Sequence, residues 1–270
     1  MTEPTGPAPY AELLDVALEA ARRAGDLLRD GRPADLGVAA TKSSPIDVVT
    51  EMDLKAEKLI TGFLGERRPD DGLLGEEGAS VTGRSGVRWI IDPIDGTVNY
   101  LYGRADWAVS VAAELDGETV VGVVHAPARR ETHHAVLGQG ARRDGVPVRC
   151  RPGTTLDQAL VATGFNYVQA TRGAQGEVVR ALLPRVRDIR RSGSAALDLC
   201  DVASGRLDGY YERGTHPWDY AAGDLIAREA GALTGGPPGA PPGRELLVAA
   251  SPEVFGVLRP LLAELGAARG

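Results

Sequence analysis

The chain has 270 residues, 43% hydrophobic and 25% charged, the ordinary balance of a globular protein with room for two lobes. A formal charge of −7 argues against a nucleic-acid footprint or a polybasic membrane patch. With aromatic residues at only 5%, the core must be built mainly from Ala, Val, Leu and Ile. Two widely separated cysteines, Cys150 and Cys200, with no CxxC motif, point to a reducing compartment. Nothing at the start resembles a signal peptide and no apolar run is long enough to span a bilayer, so the expected location is the cytoplasm.

In chain order, residues 1–9 read as a loose tail. Leu13, Leu14, Ala17, Leu18, Ala21, Ala24 and Leu28 share one face of a helix over residues 10–28. A polar loop, Lys42-Ser43-Ser44-Pro45, precedes a second helix over residues 54–64. Thr50 or Asp53 can cap it, and Asp53 taken alone reads as an N-cap. Leu73 and Leu74 form a strand leading into Gly75-Glu76-Glu77-Gly78. Neighbours in an extended chain point to opposite faces, so only one of these glutamates can face a site squarely. Trp89-Ile90-Ile91 reads as a buried strand that stops at Asp92, because Pro93 cannot continue a central strand.

Residues 109–113 and 119–125 are strands joined at Asp116-Gly117, and residues 135–140 and 146–150 continue the sheet around Arg143-Asp144-Gly145. His133 and His134 face opposite ways along a strand and read as structural or exposed. Arg151-Pro152-Gly153 divides an α+β lobe (residues 1–150) from an α/β lobe (residues 151–270). The second lobe alternates strands (159–163, 207–212, 246–250) with helices (177–186, 195–203, 220–230, 252–265), and residues 235–243 form a Pro/Gly loop. Gly193-Ser194 reads both as a turn with its N-cap and as an anion or hydroxyl site made of free helix N–H groups. There is no GxGxxG or Walker loop, which counts against a nucleotide fold.

Six acids recur at strand ends or helix starts beside small residues: Asp53, Glu76, Asp92, Asp95, Glu212 and Asp219. No Lys or Arg lies between Arg88 and Arg104, so Asp92 and Asp95 have no counter-ion nearby in sequence. Carboxylates that converge cannot all ionise without cations among them. Magnesium suits such a site, since it takes oxygen ligands, keeps several waters and is often completed by a substrate phosphate.

The segment Trp89-Ile90-Ile91-Asp92-Pro93-Ile94-Asp95-Gly96-Thr97-Val98-Asn99 resembles the first signature of the inositol monophosphatase family. Trp218-Asp219-Tyr220-Ala221-Ala222-Gly223 with Glu229-Ala230-Gly231 resembles the second. Lys42 to Thr50 with Asp53, Gly75-Glu76-Glu77, and Arg191-Ser192-Gly193-Ser194-Ala195-Ala196 also match, in the family's order. The resemblance implies a magnesium-dependent, lithium-inhibited phosphomonoesterase with a layered αβαβα fold (α/β, of the inositol monophosphatase and fructose-1,6-bisphosphatase type), usually a homodimer.

Carried over by residue, the resemblance implies that Glu76, Asp92 and the Ile94 carbonyl hold one Mg2+, and Asp92, Asp95 and Asp219 a second. Glu76 helps place a third, weaker ion. Asp53 and Thr97 orient the attacking water, with the Gly96 and Thr97 amides on the phosphate. Gly193, Ser194, Ala195, Glu212 and Asp219 meet the alcohol part of the substrate. Direct attack by metal-activated water is the implied chemistry, since no Ser, Cys or His nucleophile stands out.

Val98-Asn99-Tyr100 and Arg191 to Asp198 look most like the inositol-phosphate branch. Relatives act on histidinol phosphate, fructose 1,6-bisphosphate or 3′-phosphoadenosine compounds, and a regulatory binding protein retaining the fold is a further alternative. Two departures stand out: Gly231-Ala232 where Gly-Gly is usual, and a short Pro/Gly segment over residues 235–243 that puts the strand geometry there in doubt.

Overall fold

The computed structural model describes residues 10–42 and 45–268, so the expected tail over residues 1–9 and the pair Ser43-Ser44 lie outside the described residues. The first half opens with α1 (Ala11–Asp30), β1 (Ala40–Thr41), β2 (Val48–Val49), α2 (Glu51–Arg67), β3 (Gly72–Gly75) and β4 (Ser80–Val81). It continues with β5 (Val87–Asp95), α3 (Thr97–Leu101), β6 (Ala108–Leu115), β7 (Glu118–Ala126), β8 (Glu131–Val136), β9 (Ala141–Arg143) and β10 (Val146–Val148). The second half has β11 (Leu160–Thr163), α4 (Gln169–Leu182), β12 (Asp188–Arg190), α5 (Ala195–Ala203) and β13 (Gly209–Glu212). It ends with α6 (Pro217–Glu229), β14 (Leu233–Gly235), β15 (Leu247–Ala250) and α7 (Pro252–Glu264).

An eight-stranded sheet runs β10-β9-β8-β7-β6-β5-β3-β4, antiparallel except where β3 lies parallel to β5. A five-stranded sheet runs β12-β11-β13-β15-β14, with β11 parallel to both its neighbours. β1 and β2 form a separate antiparallel pair. The apolar side chains decide how these elements stack. Trp89 and Ile91 of β5 join Ala17, Ala21 and Ala24 of α1 and Ile60 of α2 in one cluster. Ile90, on the opposite face of the same strand, joins Ala196, Leu197 and Cys200 of α5 and Ala222 of α6. A sheet covered on both faces accounts for the unbroken apolar run Trp89 to Ile91.

The far sides of α5 and α6 pack Leu199, Val202 and Ala227 on Ala162, Tyr210 and Leu247 of the second sheet. The outer face of that sheet is covered by α4 and α7 through Val178, Leu182, Val254 and Leu258. The result is the layered αβαβα arrangement, with α5 and α6 as a middle layer in contact with both sheets. Among the described residues, no helix is long and apolar enough to cross a membrane.

Several local expectations shift. The strand β5 runs through Pro93 to Asp95 instead of ending at Asp92. β3 pairs with β5 only as far as Ile91, and the β5–β6 register shifts between Asp92 and Asp95. Pro93 therefore sits at a bulge beyond the reach of β3, where its missing N–H breaks no ladder. The second helix starts at Glu51, not residue 54, because Thr50 is its N-cap and Asp53 its third residue; Asp53 is not the N-cap. The helix α4 starts at Gln169, eight residues before the expected 177, and α6 starts at Pro217, which fits the first turn. β8 covers Glu131–Val136, and Gly138 and Gly140 with positive φ turn the chain where a strand over residues 135–140 was expected. Around the Pro/Gly segment, β14 and β15 pair antiparallel, so strand geometry is retained there.

The middle layer approaches the first sheet closely at Gly122. A Cβ there would lie 2.6 Å from the Ala222 carbonyl oxygen and 2.9 Å from its Cα, both backbone atoms that cannot rotate away. Gly122→Ala is therefore expected to cost about 1–3 kcal/mol by overpacking. Because it pushes on α6, whose first turn carries Asp219, it should also lower activity; a thermal melt read beside a turnover assay checks both.

Candidate active site

The carboxyl end of β5 opens into a cleft of about 730 Å³. Glu76, Asp92, Ile94, Asp95, Gly96 and Thr97 line it from the first half of the chain. Gly193, Ala195, Glu212 and Asp219 line it from the second. Of the expected site residues, only Asp53 and Ser194 are set back from the cleft wall. Asp53 is fully buried behind Thr97, whose hydroxyl donates to Asp53 Oδ1 at 3.0 Å. Ser194 turns its hydroxyl onto Asp95 Oδ2 at 2.5 Å and also accepts from the Leu197 amide as the N-cap of α5.

Each carboxylate is positioned by backbone. Asp92 Oδ1 accepts the Ile94 amide at 2.9 Å, which tightens the bulge around Pro93. Asp95 Oδ2 accepts the Ala196 amide at 2.7 Å besides the Ser194 hydroxyl, so the end of β5 is tied to the first turn of α5. Asp219 Oδ2 accepts the His216 amide at 2.6 Å, and Asp53 Oδ2 accepts both the amide and the hydroxyl of Thr50. Asp53 and Asp219 are thus third residues of their helices, reaching back to the capping residue. Glu212 Oε2 accepts the Tyr210 hydroxyl at 2.8 Å. Gly96 has φ 98°, a left-handed backbone, and a Cβ there would meet the carbonyl oxygens of Asp106 and Gly193. Glycine is what lets the α3 turn fit between those two strands of chain.

Electrostatics follow from crowding. Burial, then the charges of Glu76, Asp95 and Asp219, push the Asp92 carboxyl well above its ordinary value. Asp219 is raised well above by burial and by Glu76 and Asp95. Burial carries Asp95 up to about 7 against the opposing Ser194 and Ala196 hydrogen bonds. Asp53 and Glu212 are also raised, chiefly by burial. These acids fit a hard divalent cation by their chemistry: they are oxygen donors, short of positive charge and close enough to repel one another. Their oxygens are not drawn into a ready shell, however. Among the described residues no three His, Cys, Asp or Glu side chains stand at metal-ligand spacing.

Lys42 enters the cleft beside Glu76. Its ammonium donates to Glu76 Oε1 at 2.8 Å and Glu77 Oε1 at 2.6 Å, and Glu76 keeps its place in the cleft beside Asp92. Burial opposes the Lys42 charge, but the two carboxylates outweigh it and hold its pKa above the usual range. Lys42 thus neutralises part of the glutamate pair, while Asp92 and Asp95 are left without a lysine or arginine partner among the described residues. Of the adjacent glutamates only Glu76 lines the cleft. Glu77 is buried further and raised to about 7 by that burial.

Two residues of the signature segments serve to join or cap structure. Asn99 donates to the Asp106 carbonyl at 2.6 Å and the Ser192 carbonyl at 2.9 Å, joining α3 to the loop before α5. Glu229, part of the second signature, caps the Gly138 and Gly140 amides far from the cleft and serves the fold. His133 is fully buried and His134 is not, on opposite faces of β8, and neither lines the cleft.

The chain matches the sequence profile of the Inositol monophosphatase family over residues 10–264. It is 45% identical over 258 residues to the Inositol-1-monophosphatase of Mycobacterium leprae, covering 90% of this chain and 87% of that one. It is 41% identical over 223 residues to the Nus factor SuhB of Haemophilus influenzae, covering 82% and 84%. Among solved structures, the extragenic suppressor protein suhB of Bartonella henselae superposes with a TM-score of 0.87 at 36% identity, over 93% of this chain and 98% of that one.

The raised acids make a stability prediction with a definite sign. Asp95 moves from an ordinary 3.8 to about 7 on folding, so between those values the folded state binds more protons and stability falls as pH rises. Both its hydrogen bonds reach one oxygen, which an asparagine carbonyl can replace. In EDTA, Asp95→Asn should therefore stabilise the fold at pH 8 by roughly 1–3 kcal/mol, with the gain shrinking towards pH 4. Melting temperatures of the two proteins across that range check it; a constant difference would show that ionisation of Asp95 is not the cause.

Proposed function

The chain belongs to the inositol monophosphatase family, and we propose that its cleft hydrolyses the phosphate monoester of an inositol or a similar polyol, releasing phosphate. The observation that carries this is the convergence of Asp92, Asp95 and Asp219 with Glu76 beside the Gly96-Thr97 corner of one cleft. When bound, magnesium supplies the positive field for an anionic ester and a water acidic enough to attack phosphorus.

In this reading Glu76, Asp92, Asp95, Asp219 and the Ile94 carbonyl hold two to three Mg2+ ions. Asp53 takes the Thr97 hydroxyl proton into a hydrogen bond, which leaves the Thr97 oxygen as an acceptor that aims the attacking water. Asp53 is held for this task by Thr50, so the pair is fixed before substrate arrives. The Gly96 and Thr97 amides lie at the start of α3, where phosphate oxygens find donors. Glu212, held by Tyr210, presents an acceptor to a polyol hydroxyl in the cleft that Gly193, Ala195 and Asp219 also line, with Ser194 acting from behind through Asp95. The inositol assignment draws on the name of the Mycobacterium leprae relative. The same proposal includes lithium inhibition, a homodimer and a cytoplasmic setting, for which the free thiols of Cys150 and Cys200 are suited.

Phosphate release from a panel of inositol 1-phosphate, histidinol phosphate, fructose 1,6-bisphosphate and 3′-phosphoadenosine compounds should require magnesium, fall with lithium and favour the inositol ester in kcat/KM. A marked preference for another ester would overturn the substrate assignment. A second reading, a binding protein that keeps the phosphatase fold, is favoured by the relative called a Nus factor. No magnesium-dependent release from any ester would favour that reading. Asp53→Asn should lower kcat by at least about tenfold with little change in KM, because water orientation matters only as the bond forms. An effect confined to KM would remove Asp53 from that role.

A further inference from the structure

The turn that presents Glu76 is held from beneath by a carboxylate outside the cleft. Glu57, on α2, is 6% exposed. Its Oε2 accepts the Glu77 amide at 2.8 Å and its Oε1 accepts the Ala79 amide at 3.0 Å. Among the described residues no Lys or Arg is paired with it, so the two N–H dipoles are its compensation. The turn is closed on itself by the Gly75 amide donating to the Ala79 carbonyl at 2.7 Å, and it is joined to β5 by the Glu76 amide on the Ile91 carbonyl at 3.2 Å. Gly75 makes room for the contact: a Cβ there would collide with Glu57 Oε2 and lie 2.7 Å from its Cδ.

We infer that Glu57 is a positioning residue for the metal site, fixing the Gly75–Ala79 turn so that Glu76 meets the cleft. The inference rests on the metal-dependent reading above. Asp53 and Glu57 are four residues apart on one buried face of α2. One helix therefore sets both the carboxylate behind Thr97 and the turn that carries Glu76. Their separation is fixed by helix geometry and not by loop conformation. Glutamine in place of Glu57 keeps the volume but points an N–H2 group at one of the two backbone N–H groups, donor against donor. That edge of the turn must open, and Glu76 loses its aim although no cleft residue is substituted.

The test is a titration of magnesium chloride into the full chain, read as the rise in melting temperature, with phosphate release measured beside it. Glu57→Gln should raise the magnesium concentration at half-maximal stabilisation by about tenfold, the lower end for residues that orient ligands. Excess magnesium should restore much of kcat. Gly75→Ala disturbs the same contact from the other side and stands in should Glu57→Gln not fold; it should shift the midpoint in the same direction. Because the two act through one contact, the double variant should shift it no further than the stronger single one. A lower melting temperature in EDTA with an unmoved magnesium midpoint, in whichever variant folds, would mean that Glu57 only supports the fold, and the inference would fall. No magnesium-induced rise in the unaltered protein would instead defeat the metal reading and this role with it.

Discussion

Charge repulsion among buried carboxylates is the constraint on which the rest of this structure depends. Asp92, Asp95 and Asp219 lie in one cleft with Glu76, and burial, followed by the charges of neighbouring carboxylates (Glu76 in every case), raises all three aspartates. A chain selected only for stability would replace them with neutral residues of similar volume. The fold instead gives them a fixed scaffold: the end of a central strand, a bulge, and the first turns of helices, where backbone amides are available as donors.

The scaffold uses one device repeatedly. The carboxylates that converge on the cleft also finish local structure. Asp53 and Asp219 reach back to the residue that caps their own helix, Asp92 closes the bulge at Pro93, and Asp95 caps the first turn of α5 from another layer. One oxygen of each such group is spent on geometry while its charge still acts on the cleft. A structural task at a helix start or bulge and a place at or behind the cleft are therefore compatible in one side chain, and neither excludes the other. The middle layer makes this possible. Since α5 and α6 touch both sheets, residues from the two halves of the chain meet without a hinge between them.

The local sequence was informative where one segment supplies both pattern and partner. The α1 face, the Asp116-Gly117 hairpin and the α5 helix with its Ser194 cap can be recognised from spacing alone, because their contacts repeat at a fixed period or close within four residues. Boundaries moved where the deciding partner was elsewhere. Pro93 continues a strand because β3 stops short of it, and α2 begins early because Thr50, not Asp53, takes the cap. Each of these depends on a neighbour that no window of adjacent residues contains.

The sequence by itself determined which acids are unusual, the order of the signature segments and hence the family, because motif residues at strand ends and helix starts are dictated by local backbone needs. Only the tertiary structure decided which of them share a cleft. It set Asp53 and Ser194 behind the wall, laid Lys42 across Glu76, and joined Asn99 to the Ser192 carbonyl. The physical reason is that electrostatic and hydrogen-bond partners act through space over a few ångströms, while the residues concerned are separated by tens to more than a hundred positions along the chain.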